Sequence, residues 1–300
     1  MSEEILINVT PRETRVALVE NGMLQEVYVE RASRRGYVGN IYKGRVQRVM
    51  PGMQAAFVEV GLDRAAFLHA SDIVRTPSPD LEAPEAPAPT PPINELLHEG
   101  QEVIVQIVKD PIGSKGARLT THLSLPSRYL VLLATSKQIG VSARIEDEVE
   151  RARLKDLMLA LAVEREHGYI VRTNADGVGD EALKDDITYL QKVWRAVSAR
   201  FAHSKVGDCV YEDLSLPLRS VRDHMRHNIG KVRVDSREAY ERLLKFARQF
   251  MPAWVERVEH YPGERPIFDL YGVEDEIQRA LKKEVPLKSG GYLIVDQTEA

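Results

Sequence analysis

The stretch Gly39-NIYKGRVQRVMPGMQAAFVEVGLDRAA-Phe67 constrains the fold more than any other. It reads as strand, turn at Pro51-Gly52, strand, loop around Gly61 to Asp63, strand, because short β-rich runs bounded by turn residues encode a small closed sheet. Side chains alternate along a strand, so in Ala55 to Val60 the residues Ala56, Val58 and Val60 share one face and Phe57 shares the other with Glu59. In Ala65 to Ala70 the same test sets Ala66, Leu68 and Ala70 against Ala65, Phe67 and His69. Both phenylalanines therefore fall on the polar face, near Lys43 and Arg45. Rings for base faces and cations for phosphates are the equipment for binding unpaired nucleic acid. The competing reading is that a loop covers one or both rings, the common fate of a lone aromatic.

After Phe67 the strands are interrupted by residues 76–92, which hold seven of the sixteen prolines and three acids. Such a segment cannot donate to a β-ladder or bury much surface, so it predicts a mobile proline-rich loop. A strand resumes over Gly100 to Asp110, followed by the turn Pro111 to Gly116 and a strand from Ala117 to Leu125. Five strands with a long excursion between the third and fourth match an OB-type barrel. Lys109, Lys115 and Arg118 bring further cations toward the rings. The net charge of −4 and pI near 6.1 restrict any nucleic-acid contact to a local patch.

Three hundred residues set a prior of about two domains. Ile5 to Val9, Arg15 to Glu20 and Met23 to Glu30 alternate, with Asn21-Gly22 as a hairpin turn. This meander has no covering helix of its own, so its apolar face awaits a later segment. Beyond the barrel the period changes. Asp147 to Glu164 and Glu181 to Arg200 read as helices, flanking the strand Tyr169 to Thr173 and a flexible loop at residues 174–179. Arg172-Thr173, where that strand enters the loop, can present a guanidinium fork and a hydroxyl to a terminal phosphate, although an Arg-Thr pair alone does not specify one. Leu216 to Ile229 reads as a helix and Lys231 to Val234 as a strand. Asp235 to Glu238 reads as a capping box opening a helix that ends before Pro252. A strand at Val258 to Tyr261 and a helix at Val273 to Lys283 complete an α/β layer, for which the N-terminal meander is the natural partner. His224 and His227 lack acidic or Cys companions at ligand spacing and read as surface or packing residues. Cys209 is the only cysteine, which excludes an internal disulfide. The N-terminus lacks the pattern of a signal peptide and no run reaches membrane-spanning length, so a cytoplasmic protein is expected. Two β runs about Ser289-Gly-Gly291 close the chain on a polar strand edge, which reads as the opening of a further domain.

Taken together, Asn8-VT-Pro11, Arg35-GYVGNIYKGR-Val46, Pro51-GMQAAFVEV-Gly61, Ala66-FLHAS-Asp72, Leu125-PSRY-Leu130, Val171-Arg-Thr173, Phe268-Asp-Leu270, Ile277-QRA-Leu281 and Ser289-GGYLIVDQTE-Ala300 resemble the ribonuclease E/G family over essentially the whole chain except the proline-rich insert. The resemblance implies an α+β multidomain fold. A split RNase H-like α/β subdomain would occupy residues 1–38 and 214–277. An inserted S1 (OB-fold) β-barrel would span 39–125, a 5′-sensor 126–213, and a DNase I-like catalytic domain would begin at 278–300. It also implies an endoribonuclease for single-stranded RNA with a 5′-monophosphate, acting in rRNA 5′-end maturation and mRNA decay. By motif, Phe57, Phe67 and Lys115 would contact RNA. Arg172 and Thr173 would hold the 5′ phosphate, with the Ser127 backbone and Val131 flanking the terminal nucleotide. Arg144 matches one of a pair of family arginines, and Ala143 stands where the other would be.

The resemblance further implies two catalytic aspartates that bind Mg²⁺ and a Cys-Pro-x-Cys Zn²⁺ link between subunits of a homo-oligomer. All of these are expected beyond Ala300, and Asp296 precedes the catalytic position. No catalytic or metal residue is therefore assigned, and this chain is expected to bind RNA without cutting it. Two alternatives of another class remain: a stand-alone S1-type RNA-binding or regulatory protein, and a scaffold in an RNA-decay assembly.

Overall fold

A computed structural model of the chain describes residues 3–74, 91–162, 166–225, 229–287 and 289–296. In chain order, β1 (Glu3–Val9), β2 (Glu13–Glu20) and β3 (Met23–Arg31) form the N-terminal meander. Then come β4 (Ile41–Met50), β5 (Ala55–Glu59), β6 (Ala66–His69), the one-turn α1 (Ile93–Leu96), β7 (Glu102–Lys109) and β8 (Arg118–Thr120). A second group comprises β9 (Ser124–Pro126), β10 (Leu130–Leu133), β11 (Ile139–Val141), α2 (Glu148–Leu161), β12 (Gly168–Val171), α3 (Asp180–His203) and β13 (Cys209–Tyr211). The chain continues through α4 (Leu216–His224), β14 (Ile229–Val234), α5 (Arg237–Phe250), β15 (Val258–His260), α6 (Ile267–Leu270), α7 (Val273–Ala280) and the hairpin β16 (Glu284–Pro286) and β17 (Tyr292–Ile294). Two compact units result: residues 1–35 with 214–300, and residues 36–213.

In the first unit, Asn21 and Gly22 both take positive φ (50° and 80°), the geometry of the two-residue turn that matches strand twist. The meander then extends into a five-stranded sheet of order β15-β14-β1-β2-β3, with β14 parallel to both β1 and β15. Both faces of β1 are buried. Ile5 and Ile7 pack with Val221, Leu243 and Phe246 of α4 and α5, while Leu6 packs with Ile267, Phe268 and Val273. Segments some two hundred residues downstream thus cover a meander that cannot cover itself.

Three local readings differ from the structure. The strand predicted over Ala117 to Leu125 divides into β8 and β9, which pair in different sheets, because Leu125 finds its ladder partner in β10. The helix predicted over Leu216 to Ile229 ends at His224, and Ile229 opens β14 opposite Glu3. Pairing with β1 overrides a helical spacing that the apolar residues matched by coincidence. His227 lies outside the described residues, and His224 packs its ring 5.4 Å from that of Tyr28. The cap of α5 is Ser236, whose Oγ accepts from Ala239 N. Asp235 instead reaches β1, accepting from Asn8 Nδ2 at 2.6 Å and Val9 N at 2.9 Å.

The second unit contains the barrel. Among the described residues, β4 pairs with β5 on one edge and β7 on the other, and β5-β6-β8-β7 closes the circuit, with β13 added beside β4. Five strands therefore close on themselves and leave no free edge. Ala56, Val58, Ala66, Leu68, Val105 and Leu119 fill the interior, and Ile93 and Leu97 join the same core. The Gly116 backbone lies flush against β6: a Cβ there would stand 2.1 Å from the Ala65 carbonyl oxygen. Nearly all of the predicted proline-rich loop lies outside the described residues. Beside the barrel, a four-stranded sheet of order β11-β12-β10-β9 packs Leu130, Leu132, Tyr169 and Val171 against Leu154 and Met158 of α2 and Leu183, Ile187 and Leu190 of α3.

Replacing Asp235 by Ala strips a buried amide and the end of β1 of their acceptor. The urea midpoint should fall by the equivalent of about 1–3 kcal/mol, and an unchanged midpoint would show that the β1 to β14 closure does not depend on it.

Candidate nucleic-acid interface

The β5 to β6 ladder sets Phe57 directly opposite Phe67. Both rings are half-buried on the outer face of the barrel, 6.1 Å apart at 72°. His69, two residues along the same face, stacks on Phe67 at 6.4 Å and 30°. Among the described residues no loop seals either phenylalanine. The result is an open row of three flat side chains, with the cross-strand aromatic pair as its rigid centre.

The cations nominated near these rings are arranged differently from the sequence expectation. Lys43 Nζ lies 2.9 Å from Glu102 and over the Phe201 ring, and Arg45 reaches Glu102 at 3.3 Å. Hydrogen bonds from Lys43 and Arg45 hold the Glu102 carboxyl below the usual carboxylate range. Arg118 gives two hydrogen bonds to Asp72, at 2.9 and 3.1 Å. These three cations are spent on internal pairing. Lys109 and Lys115 are exposed. Lys115 sits in a turn closed by reciprocal backbone bonds with Ile112 and buttressed by Arg64 Nη1 on the Gly113 carbonyl at 2.6 Å.

Sequence reasoning missed Arg48. It is exposed and faces Phe57 in the β4 to β5 register. Strict alternation from Tyr42, Gly44 and Val46 sends Arg48 inward, but a bulge between Val46 and Arg48 turns it out. A bulge adds one residue and so inverts the facing beyond it. A charge at a nominally inward position was the available signal.

A second constellation gathers at one end of the β9 to β12 sheet. There Arg172 N donates to the Tyr129 carbonyl at 2.8 Å, and Arg172 Nη1 donates to the Ser127 carbonyl. Thr173 begins a short turn and is exposed. Ser142 N donates to Val171 O at 2.8 Å, which brings the turn bearing exposed Arg144 to the same strand end. Val131 lies between Pro126 and Ile170 in the ladder, on the face opposite the helices, and all three are incompletely buried. Ile170 is a further residue that sequence reasoning did not single out; it shares its face with Arg172 by simple alternation. The structure thus brings Ser127, Val131, Arg144, Arg172 and Thr173 together, on a sheet separate from that of Phe57, Phe67 and Lys115.

The loop at residues 174–179, read as flexible, is pinned. Gly177 N donates to Glu150 at 2.9 Å, and Arg153 bridges Glu150 (2.6 Å twice) to the Val178 carbonyl (3.0 Å). Hydrogen bonds from Arg153, then from Gly177, pull the Glu150 carboxyl down to about 2.

Among the described residues no three His, Cys, Asp or Glu side chains are grouped to hold a metal ion. Asp296 is engaged by Lys283 at 2.7 Å. The described residues do not fit a magnesium or zinc site. Among the described residues no helix is long and apolar enough to cross a membrane.

The closed five-stranded barrel has the architecture of an S1-type domain, and a model of the S1 RNA binding domain matches residues 37–110. A model of the Ribonuclease E/G family matches residues 124–300, more than half of the chain. The chain belongs to that family. It is 52% identical over 302 residues to ribonuclease G of Escherichia coli (strain K12), covering all of this chain and 61% of the relative. It is 50% identical to ribonuclease G of Haemophilus influenzae, covering 99% of this chain and 60% of the relative. With ribonuclease E of Escherichia coli (strain K12) the identity is 36%, over 99% of this chain and 28% of the relative. The chain therefore spans about three-fifths of the length of its ribonuclease G relatives.

A carboxyl held low in the folded state contributes stability above its unfolded value, about 4.3 for Glu, and that contribution is lost only as pH falls through its folded value. The carboxyl carbon of Glu150, followed by NMR in the folded protein, should titrate toward a midpoint near 2. A midpoint at the ordinary value would show that the loop is not anchored this way.

Proposed function

We propose that this chain is the RNA-binding and 5′-monophosphate-sensing portion of a ribonuclease G-like endoribonuclease. The observation that carries the reading is the half-buried Phe57–Phe67 pair on the outside of a closed barrel. A ring pair so placed has no core to fill, and its faces match those of unstacked bases. Lys115 and Arg48 supply phosphate contacts on this surface. At the other constellation, Arg172 and Thr173 grip a 5′-terminal phosphate, with the Ser127 backbone and Val131 against the first nucleotide and Arg144 as an outer cation. A guanidinium fork matches phosphate geometry and does not lose its charge near neutral pH.

In this reading residues 1–38 and 214–277 are a split RNase H-like subdomain, 39–125 the S1 domain, 126–213 the 5′-sensor, and 278–300 the start of a DNase I-like domain. The exposed strands of the β16–β17 hairpin are consistent with that last assignment. The whole enzyme cleaves single-stranded RNA in rRNA 5′-end maturation and mRNA decay, in the cytoplasm, as a homo-oligomer. Its catalysis would use Mg²⁺ held by aspartates and its subunits would be joined through Zn²⁺, and no residue described here is assigned to either ion. The 300 residues by themselves bind RNA and do not cut it.

Binding of matched single-stranded oligomers with 5′-phosphate and 5′-hydroxyl ends tests the scheme. Phe57→Ala should weaken both equally, by about 1–3 kcal/mol, and Arg48→Ala should flatten the salt dependence of log K by about 0.7. Arg172→Ala should erase the preference for the phosphate end. Equal wild-type affinity for the two ends, or magnesium-dependent product abolished by EDTA from clean protein, would overturn the corresponding part.

A further inference from the structure

Asp186 lies on α3, inside the second unit, and all its hydrogen bonds described here go to one turn. Its Oδ1 accepts from Ser127 Oγ at 2.6 Å, and its Oδ2 accepts from Tyr129 N at 2.7 Å and Leu130 N at 3.0 Å. Ser127 is only 2% exposed, and the turn is closed by Ser127 N on the Leu130 carbonyl at 2.8 Å. A carboxylate in such a place is costly. Burial drives its protonation upward against the pull of these donors and of Arg128, and a well-packed apolar side chain commonly serves stability as well or better. The cost calls for a use.

That use lies on the other side of the same turn. The peptide joining Tyr129 to Leu130 gives its N–H to Asp186 and takes the Arg172 N–H on its carbonyl, while the Ser127 carbonyl takes Arg172 Nη1. Hydrogen bonds in series through one peptide polarise and strengthen each other in a low-dielectric interior. We infer that Asp186 is a positioning residue for phosphate recognition: it fixes the 127–130 turn so that the turn's carbonyls hold both the backbone and the guanidinium of Arg172 in the gripping orientation. The inference rests on the reading of Arg172 as the phosphate contact.

The test uses the full 300-residue chain, with fluorescence-anisotropy titrations of matched 5′-phosphate and 5′-hydroxyl single-stranded RNA and a thermal melt of each variant. Asp186→Asn keeps the shape and removes the charge. It should lower the ratio of phosphate-end to hydroxyl-end affinity about fivefold or more. A lower melting temperature with the wild-type ratio retained would assign Asp186 a purely structural role and overturn the inference. Should Asp186→Asn fail to fold, Ser127→Ala, which removes one of the three bonds, decides: its ratio must fall in the same direction, and an unchanged ratio overturns the inference. Arg172→Ala is the control for the underlying reading. If it keeps the wild-type ratio, the phosphate grip itself is wrong; if it loses the ratio while Asp186→Asn does not, only the role of Asp186 fails.

Discussion

Closure of the barrel by the β4 to β7 pairing allows each barrel side chain only two destinations, the interior or the outer surface. Small and branched residues fill the inside, with Ala56, Val58, Ala66 and Leu68 fully buried, and strand alternation sends the intervening rings of β5 and β6 the other way. Phe57 and Phe67 are therefore held outward by the packing of their neighbours. Their mutual edge contact covers part of the apolar area that exposure would otherwise leave wet. A binding surface built this way needs no separate stabilisation, because the register that closes the barrel also aligns the rings.

Electrostatics on the same surface follow from proximity more than from composition. On the barrel, Glu102 and Asp72 take up Lys43, Arg45 and Arg118. The cations facing outward include Lys109 at a strand end and two displaced from the regular ladder, Arg48 by a bulge and Lys115 by a turn. Irregular backbone is what separates a charge from its nearest partner, and here it delivers charge to the neighbourhood of the rings.

At the second constellation the organising element is a turn rather than a strand. Residues 127–130 donate to a helix carboxylate on one side and accept from Arg172 at the end of β12 on the other, so a buried acid, a buried serine and Arg172 become one hydrogen-bonded unit. The neighbouring loop is tied by Glu150 and Arg153 of α2. Both helices thus contribute to holding this strand end, and each does so with a charged residue facing backbone groups that would otherwise lack partners.

Local pattern was enough for the first four strands of the barrel, the inward and outward faces of β5 and β6, the Asn21-Gly22 turn and the long helices α2 and α3, because period-two and period-3.6 burial are properties of adjacent residues. The outward facing of both phenylalanines was legible for the same reason, whereas the strand read over Ala117 to Leu125 is divided between two sheets. Where partners are distant, pattern was silent or misleading. Ile229 joined a strand instead of a helix because β1 lies alongside it. Asp235 bound Asn8 and Val9 instead of capping α5. Lys43 and Arg45 met Glu102 from another strand. Asp186 reads along the chain as an ordinary acid on the polar side of a helix, and only the packing of α3 against the turn at Ser127 gives its carboxylate three donors there. A side chain's face is set within a few residues of it, whereas its partner is set by chain closure over tens to hundreds of residues, and only the tertiary structure decides that.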